Sequence, residues 1–157
     1  MDLETIAQEL GAQLRAQGAM LATAESCTGG WVAQTVTSLA GSSNWFDAGF
    51  VTYSNLAKQR MLGVEEQTLI EFGAVSEPVV LQMAKGACVK SAASHSVAIS
   101  GVAGPGGGTP DKPVGTVWIA WSTPQQSWAK KFIFAGDRKS VRKQAVAEAL
   151  SGLLQKK

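Results

Sequence analysis

The chain has 157 residues, 45% of them hydrophobic and 17% charged, a length that suits one domain and a balance that excludes disorder, a coiled coil and collagen. Its 14 basic and 12 acidic residues leave a net charge of +2, too even to imply general attraction to nucleic acid. Two cysteines, Cys27 and Cys88, and one histidine, His95, cannot assemble a disulfide framework or a structural zinc site, so no metal is expected and the compartment is read as reducing. The N-terminus, Met1-Asp2-Leu3-Glu4, has no basic region followed by an apolar run, and no stretch approaches the roughly 20 apolar residues that cross a bilayer. A cytoplasmic protein with no membrane association is expected.

Leu3, Ile6, Ala7, Leu10 and Leu14 recur at spacings of three and four, which predicts an amphipathic helix that Gly18 can stop. The apolar run 20–25 leads into Ser26-Cys27-Thr28-Gly29-Gly30, after which Val32, Val36, Leu39 and Ala40 return to helical spacing: strand, tight turn, helix. Trp45 to Tyr53 has a strand-forming composition, and Asn55 is the expected N-cap of a short helix containing Ala57, Met61 and Leu62 and ended by Gly63. Residues 65–72 suggest a helical turn, and Ser76-Glu77-Pro78 starts a longer helix running to about Ala92. A strand over 96–100 precedes a glycine-rich loop from Gly101 to Gly115 in which no regular element can persist. Thr116–Trp121 and Trp128–Phe134 read as a hairpin across Thr123-Pro124-Gln125-Gln126, and a final helix starts at Asp137 and places Val141, Ala145, Ala149, Leu150, Leu153 and Leu154 on one face. This order predicts an α/β fold, a single-domain α/β/α sandwich over 1–157, with a mixed sheet whose early strands join by right-handed crossovers and whose last pair is antiparallel.

Ser26 falls at the strand-to-helix turn, where N–H groups near Thr28, Gly29 and Gly30 point beyond the helix start and suit an oxyanion or a phosphate; the structural alternative is that Ser26 or Thr28 only caps the helix. Lys58 sits in the first turn of its helix, where a cation opposes the macrodipole. A positive helix end and partial burial favour the neutral amine that a general base must be, against the simpler role of a solvated charge. Tyr53, the only tyrosine, stands at a strand end from which it can pass a proton between Lys58 and a nucleophile, or it is core.

The loop Gly101-Val102-Ala103-Gly104-Pro105-Gly106-Gly107-Gly108-Thr109 has no Lys-Ser/Thr after it and no following helix, so it is neither a Walker loop nor a dinucleotide fingerprint; it suits a ligand cover or a connection needing positive φ. Cys27 offers a second nucleophile, with Glu25 and Lys58 completing a Cys/Glu/Lys set, against the usual role of a buried small hydrophobe. His95 and the five tryptophans read as structural. From Lys130 onward eight basic residues face only Asp137 and Glu148, a solvated face or a site for an anionic ligand.

Five ordered blocks, TAESCTGG (23–30), GFVTYSNLAK (49–58), GAVSEP (73–78), SGVAGP (100–105) and KPVGTV (112–117), together resemble the CinA C-terminal family and span nearly the whole chain. Stand-alone members are nicotinamide-nucleotide amidohydrolases, so the resemblance implies conversion of nicotinamide mononucleotide to nicotinic acid mononucleotide and ammonia in pyridine-nucleotide recycling, without metal or cofactor. It implies Ser26 as nucleophile with Tyr53 and Lys58 as its activating pair. Thr28, Gly29 and Gly30 would then serve the oxyanion, and Ser100, Gly101, Gly104 and Thr109 with Arg138 or Arg142 the ribose phosphate. The expected partner is this small nucleotide, not nucleic acid, and a homodimer is the expected assembly. The competing class is a non-enzymatic nucleotide-binding or regulatory module, in which the same residues only position a ligand.

Overall fold

The computed structural model describes residues 2–155. Among them run helix α1 (Leu3–Ala16), strand β1 (Leu21–Glu25), α2 (Trp31–Thr37), a 3-10 turn (Ser42–Asn44), β2 (Phe46–Val51), α3 (Asn55–Leu62), α4 (Glu66–Phe72), α5 (Glu77–Val89), β3 (His95–Gly101), β4 (Thr116–Ser122), β5 (Ser127–Ile133) and α6 (Arg138–Ser151). The sheet order is β2-β1-β3-β4-β5. β1 pairs parallel with both β2 and β3, while β4 and β5 are antiparallel, so the sheet is mixed as expected.

Two different cores follow from strand alternation. Leu21, Val97, Ile99, Val117, Ile119 and Trp121 face α1, α2 and α6. On the opposite face the strands present Ala22, Ala24, Ala98 and Ala120 to α3, α4 and α5. Because successive side chains alternate between faces, one surface is bulky and the other is a floor of alanines, on which α5 packs against β1, β3 and β4. Close approach continues between helices: a Cβ on Gly86 of α5 would sit 1.9 Å from the carbonyl oxygen of Leu62 in α3.

Some expectations shift locally. The N-cap of α3 is Ser54, not Asn55: Ser54 has extended backbone and its hydroxyl accepts the Ala57 N–H at 3.0 Å, which places the cap one residue earlier because the hydroxyl must reach N3. α2 ends at Thr37, short of Leu39 and Ala40; Thr35 and Thr37 hydroxyls donate to carbonyls a turn back and Ser38 to Thr35, interactions that compete with helix propagation. α5 stops at Val89, and the Ala92 N–H beyond it donates to the Asp47 carboxylate. No helix among the described residues is long and apolar enough to cross a membrane.

The connection from β1 to β2 carries α2 on one face, whereas that from β2 to β3 carries α3, α4 and α5 on the other. Beyond the carboxyl ends of β1 and β2 the chain therefore parts to opposite sides of the sheet, the switch point at which open α/β sheets bind ligands.

Candidate active site

At that switch point lies a pocket of about 280 Å³, lined by Ser26, Tyr53, Asn55 and Lys58 on one side and by Ser100 through Gly104, Gly106, Gly107 and Arg138 on the other. A larger groove of about 770 Å³ opens at the opposite end of the sheet, among Gln13, Gln17, His95, Gln125 and Trp128. Its lining among the described residues includes five glutamines and no acidic residue, lysine or arginine, and the contact between Lys58 and Ser26 described next belongs to the smaller pocket.

Ser26 continues from β1, its N–H donating to the Ile99 carbonyl at 3.0 Å. Its Oγ lies 3.1 Å from the Nζ of Lys58, which is also 2.9 Å from the Thr52 carbonyl. Lys58 is only 1% exposed, and burial pushes its pKa below the ordinary lysine value, opposed by a smaller effect of Cys27. A buried amine held by a carbonyl and a hydroxyl has one lone pair to offer once neutral, and the Ser26 hydroxyl is the group in reach.

Tyr53 makes no hydrogen bond to Ser26 or Lys58 among the described residues. It is 65% exposed, and its hydroxyl accepts from Arg138 Nη2 at 3.1 Å while Arg138 Nη1 donates to the Gly104 carbonyl at 2.8 Å. Tyr53 and Arg138 together span the pocket mouth, and Lys58 meets Ser26 without an intermediary.

The turn after Ser26 depends on its glycines. Gly29 and Gly30 have φ of +61° and +101°, a left-handed backbone that side-chain-bearing residues adopt at a cost. The Gly29 N–H donates to the Ser26 carbonyl, and the first amides of α2 are occupied too: Glu25 accepts from Val32 N–H at 2.8 Å, from Ala33 N–H at 3.1 Å and from the Thr28 hydroxyl at 2.7 Å. The anion at this helix start is internal. The amides of Cys27, Thr28 and Gly30, by contrast, meet no acceptor among the described residues.

Arg142 does not line the pocket. Its Nε and Nη2 donate to the carbonyls of Cys27 and Thr28 at 3.0 and 3.1 Å, and its guanidinium lies over Trp31. Since C=O and N–H of a trans peptide point oppositely, the Thr28 N–H faces away from Arg142. Thr109 also stays outside, closing a turn with Lys112 through its N–H and hydroxyl. Ser100, Gly101 and Gly104 line the pocket.

The Cys/Glu/Lys alternative is not assembled: Glu25 is committed to α2, and burial raises the Cys27 thiol to about 11, which keeps it protonated and weakly nucleophilic near neutrality. His95 lies at the far end of β3, its Nδ1 2.8 Å from the Ser94 hydroxyl. Three contributors escape sequence reasoning: Asn55, the Ala74–Val75 wall and the capping role of Glu25. The wall comes from the α4–α5 connection, tethered by Lys112 Nζ on the Phe72 carbonyl at 2.7 Å. An acidic residue just ahead of a helix was the one available signal for Glu25.

The family model of the CinA C-terminal domain matches residues 3–157. The chain belongs to the CinA C-terminal domain family. It is 54% identical over 155 residues to the nicotinamide-nucleotide amidohydrolase PncC of Escherichia coli strain K12, covering 98% of this chain and 94% of that protein. A protein of the same name from Pseudomonas putida is 52% identical over 153 residues, with 98% and 96% covered. Among solved structures, the competence/damage inducible protein CihA of Agrobacterium tumefaciens superposes with a TM-score of 0.95 at 44% identity, covering 98% of this chain and 94% of that one. This CinA domain therefore shares its whole architecture with solved relatives.

Proposed function

We propose that this CinA domain is an amidohydrolase that converts nicotinamide mononucleotide to nicotinic acid mononucleotide and ammonia, and so serves pyridine-nucleotide recycling in the cytoplasm. The observation that carries the chemistry is the 3.1 Å approach of the buried Lys58 amine to the Ser26 hydroxyl inside the pocket. The identity to enzymes named for this reaction supports the substrate.

In this reading neutral Lys58 takes the Ser26 proton as Oγ attacks the carboxamide carbon, while the Thr52 carbonyl keeps the amine oriented. The oxyanion is held by the open N–H groups of Cys27 and Thr28. The Lys58 ammonium returns its proton to the departing nitrogen, the C–N bond breaks and ammonia leaves; water, deprotonated by Lys58, then cleaves the acyl-enzyme and regenerates Ser26. The quaternised ring nitrogen of the nucleotide withdraws electrons from the carboxamide and eases attack. Tyr53, Arg138 and the glycine loop hold the sugar phosphate at the mouth, where the exposed guanidinium, positioned by the Gly104 carbonyl and the Tyr53 hydroxyl, offers its remaining N–H groups and its charge to phosphate.

Incubating purified protein with nicotinamide mononucleotide, and separately with free nicotinamide, tests the reading by ammonia assay and chromatography of the nucleotide. Stoichiometric acid product from the nucleotide is expected. Binding without any product at high enzyme concentration would replace the reading with that of a binding module.

A further inference from the structure

Glu25 stands directly before Ser26 and is 1% exposed. Its carboxylate accepts from three neutral donors, the Thr28 hydroxyl and the N–H groups of Val32 and Ala33, while its backbone carbonyl accepts the Thr52 N–H at 2.9 Å. Thr52 in turn offers its carbonyl to Lys58 at 2.9 Å. One residue thus grips both sides of the reacting pair: its side chain fastens the Ser26–Gly30 turn to α2, and its main chain fastens the segment that orients the Lys58 amine. A buried carboxylate is expensive to desolvate unless its hydrogen bonds are fully made, and a neutral cap would satisfy a seven-residue helix at lower cost.

We propose that Glu25 is a positioning residue, which sets the Ser26 hydroxyl against Lys58 without touching substrate and neutralises the α2 amino end, leaving the Cys27 and Thr28 amides as donors to the oxyanion. The inference rests on Ser26 being the nucleophile. It differs from a purely structural role in its kinetic signature. The walls that hold substrate come from Tyr53, Asn55, the β3 end and Arg138, so disturbing Glu25 displaces the nucleophile while leaving substrate binding intact.

The test is steady-state turnover of nicotinamide mononucleotide by the full chain carrying Glu25→Gln, Thr28→Val, Thr28→Ser or Ser26→Ala, alongside thermal unfolding of each. Glu25→Gln presents an amide N–H₂ to one of the donors that the carboxylate accepts from, so its kcat should fall about tenfold or more with KM within about twofold, since small displacements of a reacting group cost that much. Thr28→Val should lower kcat in the same way and Thr28→Ser restore it. Wild-type kcat in Glu25→Gln, or a loss appearing in KM alone, overturns the proposal. If Glu25→Gln fails to fold, the threonine pair decides: unchanged kcat in Thr28→Val, or no recovery in Thr28→Ser, overturns it. Turnover surviving in Ser26→Ala overturns the nucleophile reading and this inference with it. Loss in Ser26→Ala beside unimpaired Glu25→Gln overturns this inference alone.

Discussion

Lys58 is buried beside Ser26, its Nζ within 3.1 Å of the serine hydroxyl. An amine at 1% exposure is held where its charge is disfavoured, so the fold carries a cost that replacement should relieve. Lys58→Met should abolish turnover yet match or exceed the wild type in urea stability at pH 7, because a buried polar site is exchanged for an apolar one of similar length. The pH dependence follows in sign. With its native pKa lowered from 10.5, the amine binds fewer protons folded than unfolded between that lowered value and 10.5, so stability rises with pH across this window and the full penalty remains below it. Cys27 acts oppositely, since its rise from 9.0 to about 11 removes stability as pH climbs through that range. Subtracting the urea midpoint curve of Lys58→Met from that of the wild type isolates the lysine; a flat difference would contradict its burial as an amine. The two arginines separate as well. Arg138→Ala should raise KM for the nucleotide with modest change in kcat, whereas Arg142→Ala, which frees the carbonyls of Cys27 and Thr28, should lower kcat and the melting temperature together.

At the scale of elements, the approach of Lys58 to Ser26 depends on how closely α3 lies against α5. Lys58 rides on α3, and Gly86 is where α5 admits the end of that helix. Gly86→Ala introduces a methyl 1.9 Å from the Leu62 carbonyl, and since backbone rather than a flexible side chain must yield, it should cost about 1–3 kcal/mol in urea unfolding. It should also reduce kcat by moving Lys58, a coupling absent from any overpacking on the α1–α6 face. This arrangement was only partly legible in advance. Ser26, Tyr53 and Lys58 stood out because turn chemistry and an opposed helix dipole are local signals. The Thr28 amide was expected for the oxyanion and is open, whereas the pairing of Gly29 and the open amide of Cys27 were not foreseen, since the orientation of these peptides depends on Glu25 and on Arg142, the latter more than a hundred residues away along the chain.

For the whole molecule, both cores share one sheet, so unfolding should be a single cooperative transition. Trp45 and Trp121 report on one face and Trp118 packs against the other; fluorescence and far-ultraviolet circular dichroism in urea should therefore trace coincident curves, and separated midpoints would argue for two units within 1–157.

The α/β class, the mixed sheet and nearly every element were determined by the sequence alone, because hydrophobic period, glycine punctuation and capping are properties of neighbouring residues. Small offsets at Ser54, Thr37 and Val89 arose where a side-chain hydrogen bond or a lost propensity shifted an end by a residue or more. Tertiary structure decided the rest. It put Lys58 on Ser26 directly and Tyr53 on Arg138, turned Arg142 from the pocket to the turn, and left Thr109 outside. Such assignments follow from the direction in which side chains from separate elements converge at the switch point of the sheet, and that direction is set by packing on two unlike faces, one bulky and one of alanine.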